Sequence, residues 1–215
     1  PFSKGKFDEK AMAELIEFHI VHGTHGIVPC GTTGESATLT AEEHERVVSV
    51  TVEVVNKRIP VIAGTGSNST DEAITFTKHA KTVGADAALL ITPYYNKPPQ
   101  EGLYRHFAAV AKAVDLPQIL YNIPGRTSIN MLPATVSRLS EIPNIVGIKE
   151  GSGSLQQVSD FIQRSHPDFF VLSGDDPLTL PMIALGGKGV ITVTANVAPT
   201  DMANMVNAAL EGNYE

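Results

Sequence analysis

The chain has 215 residues, a formal net charge of −7 and 42% hydrophobic residues, a composition typical of an ordinary globular protein. It contains no block of basic residues, no apolar run of the about 18 residues that span a membrane, and no secretory segment at its start, so neither nucleic acid nor a membrane is expected as a partner. A single cysteine, Cys30, cannot form an internal disulfide, and together these features predict a cytoplasmic protein.

Short apolar runs alternate with helical patterns along the chain. The runs are apolar at successive positions, as expected for parallel strands that are covered on both faces. Their starts lie about 20–35 residues apart, the length of a strand and its crossover helix. The predicted strands are Gly26–Cys30, Pro60–Gly64, Ala87–Thr92, Gln118–Ile123, Ile145–Lys149, Phe169–Ser173 and Gly189–Thr194.

Eight helices are predicted around these strands. Asp8 is the expected N-cap of the first, a capping box at Thr40 opens the second, and Ser69 opens the third. The first is expected to stop at Gly23 and the third at Gly84. The other five are expected from about Gln100 to Val114, after Pro133, from Ser154 to before Pro167, from Pro177 to Gly186, and after Pro199.

This alternation indicates a parallel sheet that either stays open or closes into a barrel. An open nucleotide-binding sheet should carry Gly-x-Gly-x-x-Gly after its first strand, and the segment from Gly64 to Ser69 has only the first two glycines. The regular repeat favours the barrel. We predict an α/β fold with one domain, residues 1–215, that is a (β/α)8 TIM barrel lacking its first strand and any C-terminal helical extension.

Lys149 ends a predicted buried strand, where a lone ammonium is costly. Desolvation lowers a lysine pKa and leaves a neutral amine that can attack a carbonyl group. The structural alternative is an ammonium paired with Glu150 or another acid.

Further polar residues follow the other strands, at the ends where barrel active sites lie. Arg126 can bind a carboxylate, tyrosine hydroxyls can relay protons, and the hydroxyls of Thr32 and Thr33 can hold a carboxylate. Each also has a structural interpretation, namely helix capping for the threonines, packing for the tyrosines and a surface ion pair for Arg126. The candidates after the strands are Thr32, Thr33, Tyr94, Tyr95, Tyr121, Arg126 and the segment Ser173–Asp176.

This set of residues suits an imine-forming lyase or aldolase that acts on a 2-oxo acid. A metal site is not expected, because Asp175 and Asp176 have no histidine or cysteine at ligand spacing. A serine hydrolase is not expected either, because the chain has no Gly-x-Ser-x-Gly motif.

The chain resembles the dihydrodipicolinate synthase family from Pro1 to about Glu215. The resemblance implies an eight-stranded barrel, usually a homotetramer, that condenses pyruvate with L-aspartate 4-semialdehyde in the diaminopimelate and lysine pathway. It implies no metal and no organic cofactor. The motifs that carry it are Gly31–Ser36 (GTTGES), Tyr94-Tyr95, Tyr121–Thr127 (YNIPGRT), Ile148–Glu150 (IKE), Ser173–Asp176 (SGDD) and Gly189–Asn196.

The resemblance also implies catalytic roles for four residues. Lys149 forms the imine with pyruvate, and Tyr121 donates and accepts protons. Thr32 and Tyr95 complete a proton relay with Tyr121, and Tyr95 reaches into the site of a neighbouring subunit.

Four further residues are implied to hold or surround the substrates. Thr33 and the backbone of Ile191 hold the pyruvate carboxylate, Arg126 receives the carboxylate of the semialdehyde, and Gly174 lines the pocket.

A feedback site for L-lysine is implied at the tight-dimer interface. One histidine of the best-known pattern is replaced by Ala41 here, which puts the strength of inhibition in question. The matching positions are Ser36, Ala37, His44, Asn68, Glu72 and Tyr94.

Two other functions stay open at this point. A sister aldolase that cleaves N-acetylneuraminate or a 2-oxo-3-deoxy sugar acid would share Lys149 and Tyr121, and Arg126 argues against it. A non-catalytic barrel that binds a small acid is the alternative from another class, and it has little use for a desolvated lysine.

Overall fold

The centre of the computed structural model, which describes residues 1–214, is a parallel sheet. Five strands form it in chain order, and a short antiparallel hairpin precedes it. The hairpin is absent from the sequence-based prediction because its strands have only two residues each. The strands are β1 (Phe2–Ser3), β2 (Lys6–Phe7), β3 (Ile62–Gly64), β4 (Ala87–Ile91), β5 (Gln118–Asn122), β6 (Ile145–Glu150) and β7 (Phe170–Ser173).

Two of the predicted strands are reduced to single bridges at the edges of this sheet. Ile27 bridges Val61 beside β3, and Val190 bridges Ser173 beside β7, both in the parallel sense. Within residues 1–214 each of these outer segments is paired on one side only, so its ladder does not extend into a strand. Seven parallel segments nevertheless lie side by side in chain order, as the barrel prediction requires.

The helices follow the predicted order, with one addition. Asp8, Thr40 and Ser69 accept the predicted capping hydrogen bonds, and Thr40 and Glu43 form the complete capping box. The addition is the single turn α5. The helices are α1 (Glu9–Val21), α2 (Ala41–Val55), α3 (Thr70–Val83), α4 (Gln100–Ala113), α5 (Pro124–Thr127), α6 (Pro133–Ser140), α7 (Leu155–Arg164), α8 (Thr179–Ala184) and α9 (Pro199–Leu210).

The alternation of side chains along β4 to β6 divides the core into two layers. Leu89, Ile119 and Tyr121 pack together in the barrel interior. Leu90, Leu120 and Ile148 face the other way and form a larger cluster with the helices. Both faces of these strands are therefore buried, which explains why their sequences lack an alternating polar pattern.

None of the helices within residues 1–214 combines the length and the apolar character needed to cross a membrane.

Replacing Thr40 with alanine should lower the free energy of unfolding by about 1 kcal/mol, because the amide of Glu43 loses its capping acceptor. Urea denaturation followed by circular dichroism measures this. Thr75 supplies the control, since it lies exposed within α3 and its hydroxyl donates only to the carbonyl of Asp71. Thr75→Ala should leave stability unchanged or raise it slightly, because alanine is the better helix former. Equal losses in both variants would contradict the capping role.

Candidate active site

A cavity of about 1100 Å³ opens at the carboxyl ends of the strands. It continues along the gap between the outer segments around Ile27 and Val190, where side chains of α1 and α9 also line it. Of the predicted catalytic and substrate-binding residues, seven line this cavity: Thr32, Thr33, Tyr121, Arg126, Lys149, Gly174 and Ile191.

Lys149 is buried in this cavity, with 8% of its surface exposed. Its Nζ lies 4.1 Å from the centroid of the Tyr121 ring, in the geometry of a cation–π contact. Burial lowers the pKa of Lys149 from 10.5 to about 8; the carboxylate of Asp176 opposes this shift, and the guanidinium of Arg126 adds to it. With a pKa of about 8, roughly a tenth of the amine is uncharged at pH 7, whereas at the ordinary value of 10.5 the fraction would be below about 0.1%.

The structural alternative for Lys149 was an ion pair with Glu150 or another acid. None of the ion pairs formed among residues 1–214 includes Lys149. Glu150 follows it in β6, so its side chain points to the opposite face and accepts a hydrogen bond from Asn122. The pair with Glu150 is wrong because successive side chains of a strand alternate between faces, and a pair with another acid is wrong because none is formed among the described residues.

Tyr121 lies beside Lys149 because β5 and β6 pair these two residues in parallel register. Its side chain is buried, and burial raises its pKa, while a hydrogen bond with Thr32 and the charge of Arg126 act in the opposite direction. The phenol thus keeps its proton at neutral pH and can donate it to a neighbouring group.

Thr32 and Thr33 lie in a tight turn after the first parallel segment. The amide of Glu35 donates to the carbonyl of Thr32 at 3.1 Å, and Glu35 itself has a left-handed backbone with φ of 57°. The next α-helix is capped by Thr40, so the capping interpretation of Thr32 and Thr33 is wrong. Both residues are exposed at the rim of the cavity, where their hydroxyls can reach a ligand.

Gly174 has no room for a side chain, because Lys149 runs across it. A Cβ atom at this position would lie 3.1 Å from Cε of Lys149, 3.2 Å from its Cγ and 3.1 Å from the carbonyl oxygen of Glu150. A larger residue would require Lys149 and the backbone of Glu150 to shift by a few tenths of an ångström, so glycine here leaves the lysine side chain its room.

Arg126 is exposed in the single turn α5, at the rim of the cavity. The turn is anchored by Thr127, whose hydroxyl donates to the carbonyls of Ile123 and Ile129 at 3.1 Å each. No ion pair among the described residues involves Arg126, which rules out the surface-pair interpretation. An unpaired guanidinium on an anchored turn is suited to bind a carboxylate.

Asp176 has a structural role that its sequence position did not reveal. Its carboxylate accepts hydrogen bonds from the amides of Val193 and Thr194 at 3.3 and 3.0 Å and from the hydroxyl of Thr194 at 2.7 Å. Burial raises its pKa, but hydrogen bonds from Thr194 and Thr192 outweigh burial and leave the pKa lowered. Asp176 therefore ties the last strand end to the site and supplies the opposing charge near Lys149.

Ile191 lines the cavity, but its amide already donates to the carbonyl of Ser173 at 3.0 Å. In this conformation the N–H of Ile191 is therefore not free to bind a carboxylate. The predicted contact between the Ile191 backbone and the pyruvate carboxylate stays a prediction.

Tyr95 lies apart from Lys149 and Tyr121. Its side chain is 89% exposed and it does not line the cavity. Its φ of 68° is unusual for a bulky residue and costs about 1–3 kcal/mol. A single chain therefore does not assemble the predicted relay of Tyr95, Thr32 and Tyr121.

The six predicted feedback-site residues also lie outside this cavity. His44 is buried, its Nε2 lies 2.8 Å from the carbonyl oxygen of Gly64, and burial lowers its pKa. Glu72 accepts a hydrogen bond from Ser67 and is close enough to His44 to act on its charge. The carbonyl of Asn68 accepts a hydrogen bond from the Asn96 side chain at 3.0 Å. The starts of α2 and α3 are thus neighbours. The binding of lysine between them stays a prediction.

Comparison with known proteins places the chain in one family. The model of the dihydrodipicolinate synthetase family matches residues 1–215. The 4-hydroxy-tetrahydrodipicolinate synthases of Thermodesulfovibrio yellowstonii and Syntrophobacter fumaroxidans are 64% and 61% identical to it over 215 residues, which are all of this chain and 74% of each relative. Sequence therefore relates the chain to these synthases over its whole length.

Solved structures show the same relationship. The dihydrodipicolinate synthase from Aquifex aeolicus superposes with a TM-score of 0.98 at 53% identity, over 100% of this chain and 73% of that one. The enzyme from Cyanidioschyzon merolae, solved with lysine bound, gives a TM-score of 0.93 at 43% identity, over 97% of this chain and 73% of that one. These likenesses confirm the predicted α/β barrel fold.

Removing the charge of Asp176 should lower the pKa of Lys149 below about 8, because the carboxylate favours the ammonium form. The pH dependence of Lys149 labelling by an amine-reactive aryl fluoride, read by peptide mass spectrometry, measures this in Asp176→Asn. Asp115→Asn is the control, since the Asp115 side chain is 96% exposed on another surface. A labelling midpoint that rises or stays unchanged in Asp176→Asn would contradict the assigned electrostatics.

Proposed function

Because the chain belongs to the dihydrodipicolinate synthetase family, we propose that it condenses pyruvate with L-aspartate 4-semialdehyde to give 4-hydroxy-tetrahydrodipicolinate, a step in diaminopimelate and lysine biosynthesis. It is a lyase. The observation that carries the mechanism is the buried amine of Lys149, which lies over the ring of Tyr121 in the cavity at the strand ends.

The reaction begins at the uncharged amine of Lys149. Its nitrogen attacks the C2 carbonyl of pyruvate, and loss of water gives a protonated imine. The positive nitrogen acidifies the methyl group, and removal of one of its protons leaves an enamine. The raised pKa of Tyr121 keeps its phenol protonated, so this group can supply and recover protons during these steps.

The enamine carbon then attacks the aldehyde carbon of the semialdehyde and forms the new carbon–carbon bond. The aldehyde oxygen takes a proton and becomes the hydroxyl of the product. The amino group of the semialdehyde next adds to the imine carbon and displaces Lys149, which closes the ring and regenerates the free amine. The water lost in the first step is the only by-product.

The two carboxylates of the substrates are assigned to different elements. Thr33, in the turn after the first parallel segment, is proposed to hold the pyruvate carboxylate, with Ile191 and Gly174 as lining residues. Arg126 is proposed to receive the carboxylate of the semialdehyde. Support for the second assignment comes from its position at the cavity rim without an ion-pair partner among the described residues.

Tyr95 is proposed to act in the cavity of a second copy of the chain. The support is its exposed side chain and its strained backbone, which is unfavourable without a compensating contact. We expect the assembly to be a homotetramer of tight dimers in which each copy lends Tyr95 to the relay of Thr32 and Tyr121 in its partner.

L-lysine is proposed as a feedback inhibitor. Glu72 can pair its ammonium, and one of the similar solved structures carries bound lysine. Ala41 lies where the best-known pattern has histidine, so a titration with lysine has to establish the strength of inhibition. The proposed site consists of Ser36, Ala37, His44, Asn68, Glu72 and Tyr94.

Lys149→Ala should abolish both turnover and the covalent adduct that borohydride forms in the presence of pyruvate, because the reacting nitrogen is gone. Arg126→Ala is the matched variant: it should keep the pyruvate adduct and lose about a hundredfold in kcat/KM for the semialdehyde, as when one partner of a charge pair is removed. Mass spectrometry and steady-state rates give these readouts. Turnover in Lys149→Ala, or loss of the adduct in Arg126→Ala, would contradict the assigned roles.

The unaltered protein distinguishes the proposed function from its alternatives. An adduct without semialdehyde turnover would indicate a sister aldolase, and no adduct would indicate a binding protein.

Co-expression of Lys149→Ala with Tyr95→Phe should recover activity that neither variant has alone. In a symmetric dimer the mixed species has one site with both groups intact, which gives about a quarter of the unaltered activity at random assortment. Steady-state rates of the purified mixture measure this, and Tyr104→Phe, in α4, replaces Tyr95→Phe as the control. No recovery would show that Tyr95 serves its own chain.

A further inference from the structure

A buried carboxylate lies directly behind the amine of Lys149. Glu150 is the next residue of β6 and is 2% exposed, yet it does not line the cavity. No ion pair found among residues 1–214 includes it. Burying a carboxylate without a cation is costly unless hydrogen bonds compensate, so its partners indicate what it does.

Three neutral groups donate hydrogen bonds to Glu150. Its Oε2 accepts from Nδ2 of Asn122 at 2.9 Å and from Nε2 of Gln157 at 3.3 Å, and its Oε1 accepts from the amide of Ser152 at 2.5 Å. Gln157 and Asn130 exchange two further amide hydrogen bonds at 2.9 and 3.1 Å. An ionised carboxylate has only acceptors, so it matches the three donors around Glu150. A side-chain amide at this position would place its own NH2 group against one of these donors.

Asn122 connects this network to the loop that carries Arg126. Its Nδ2 also donates to Oδ1 of Asn130 at 2.8 Å, and its Oδ1 accepts from the amide of Met131 at 2.9 Å. The loop over residues 123–130 thus begins next to Asn122 and returns to its side chain. The position of Arg126 therefore depends on where Asn122 is held.

The strand register places the network and the candidate reactive pair on the same two strands. β5 and β6 pair Tyr121 with Lys149, and one residue further they pair Asn122 with Glu150. Alternation sends the first pair into the cavity and the second to the face covered by helices. A shift of one strand against the other would move both pairs together.

We propose that Glu150 is a positioning residue that fixes the distance between Lys149 and Arg126. This inference rests on the proposed function. The semialdehyde has to place its aldehyde carbon at the enamine on Lys149 while its carboxylate lies at Arg126. Pyruvate forms its imine without Arg126, so loosening the network affects the second substrate and spares the first.

Glu150→Gln tests this, since it keeps the size of the side chain and removes the charge. We expect kcat/KM for the semialdehyde to fall between about tenfold and a hundredfold, the effect of small displacements of reacting groups, mainly through a higher KM. The pyruvate concentration for half-maximal borohydride trapping should change by less than about twofold. Glu141→Gln, at the exposed end of α6, is the control and should change neither quantity.

Gln157→Met is the second variant, because it removes one donor to Glu150 but keeps the carboxylate and the length of the side chain. We expect a smaller rise in the same KM, and if Glu150→Gln fails to fold, this variant decides on the same readouts. Equal losses in pyruvate trapping and semialdehyde turnover, or unchanged semialdehyde kinetics, would overturn the positioning role. Failure of the unaltered protein to trap pyruvate would instead overturn the proposed function.

Discussion

The register between β5 and β6 is the constraint on which the site depends. It places Tyr121 beside Lys149 in the cavity and, one residue later, Asn122 beside Glu150 on the helix-covered face. A slip of one residue would exchange the two faces and put the carboxylate where the amine belongs. The same hydrogen-bonded ladder that stabilises the sheet therefore also sets the chemistry at its end.

Two charged side chains, Asp176 and Arg126, act on the amine of Lys149. Lys149 is buried without an ion-pair partner among the described residues, which lowers its pKa to about 8. The charge of Asp176 opposes this shift, and its Oδ2 accepts the hydrogen bonds from Val193 and Thr194. That carboxylate can favour the ammonium electrostatically without neutralising the cavity, while Arg126 is left free for an anionic group. The site is therefore suited to two small anions and one reactive amine.

A single chain holds only part of the proposed machinery. The amine of Lys149, the phenol of Tyr121 and the threonine turn lie around one cavity, whereas Tyr95 is exposed on the outside. Tyr95 keeps a strained backbone there, which is the kind of feature that a contact with another molecule has to stabilise. Catalysis and assembly are thus linked in the proposed function, because the relay is incomplete until a second copy supplies this residue.

The sequence by itself determined the features that depend on near neighbours in the chain. The caps at Asp8, Thr40 and Ser69 were predictable because each is a side chain that bonds an amide three residues away. The central strands and Lys149 followed from continuous apolar runs. The reduced outer strands, the unpaired state of Arg126 and the network of Glu150 were decided only by the tertiary structure. Glu150 contacts Asn122 across 28 positions of sequence, and strand register, which no local pattern encodes, brings the two together.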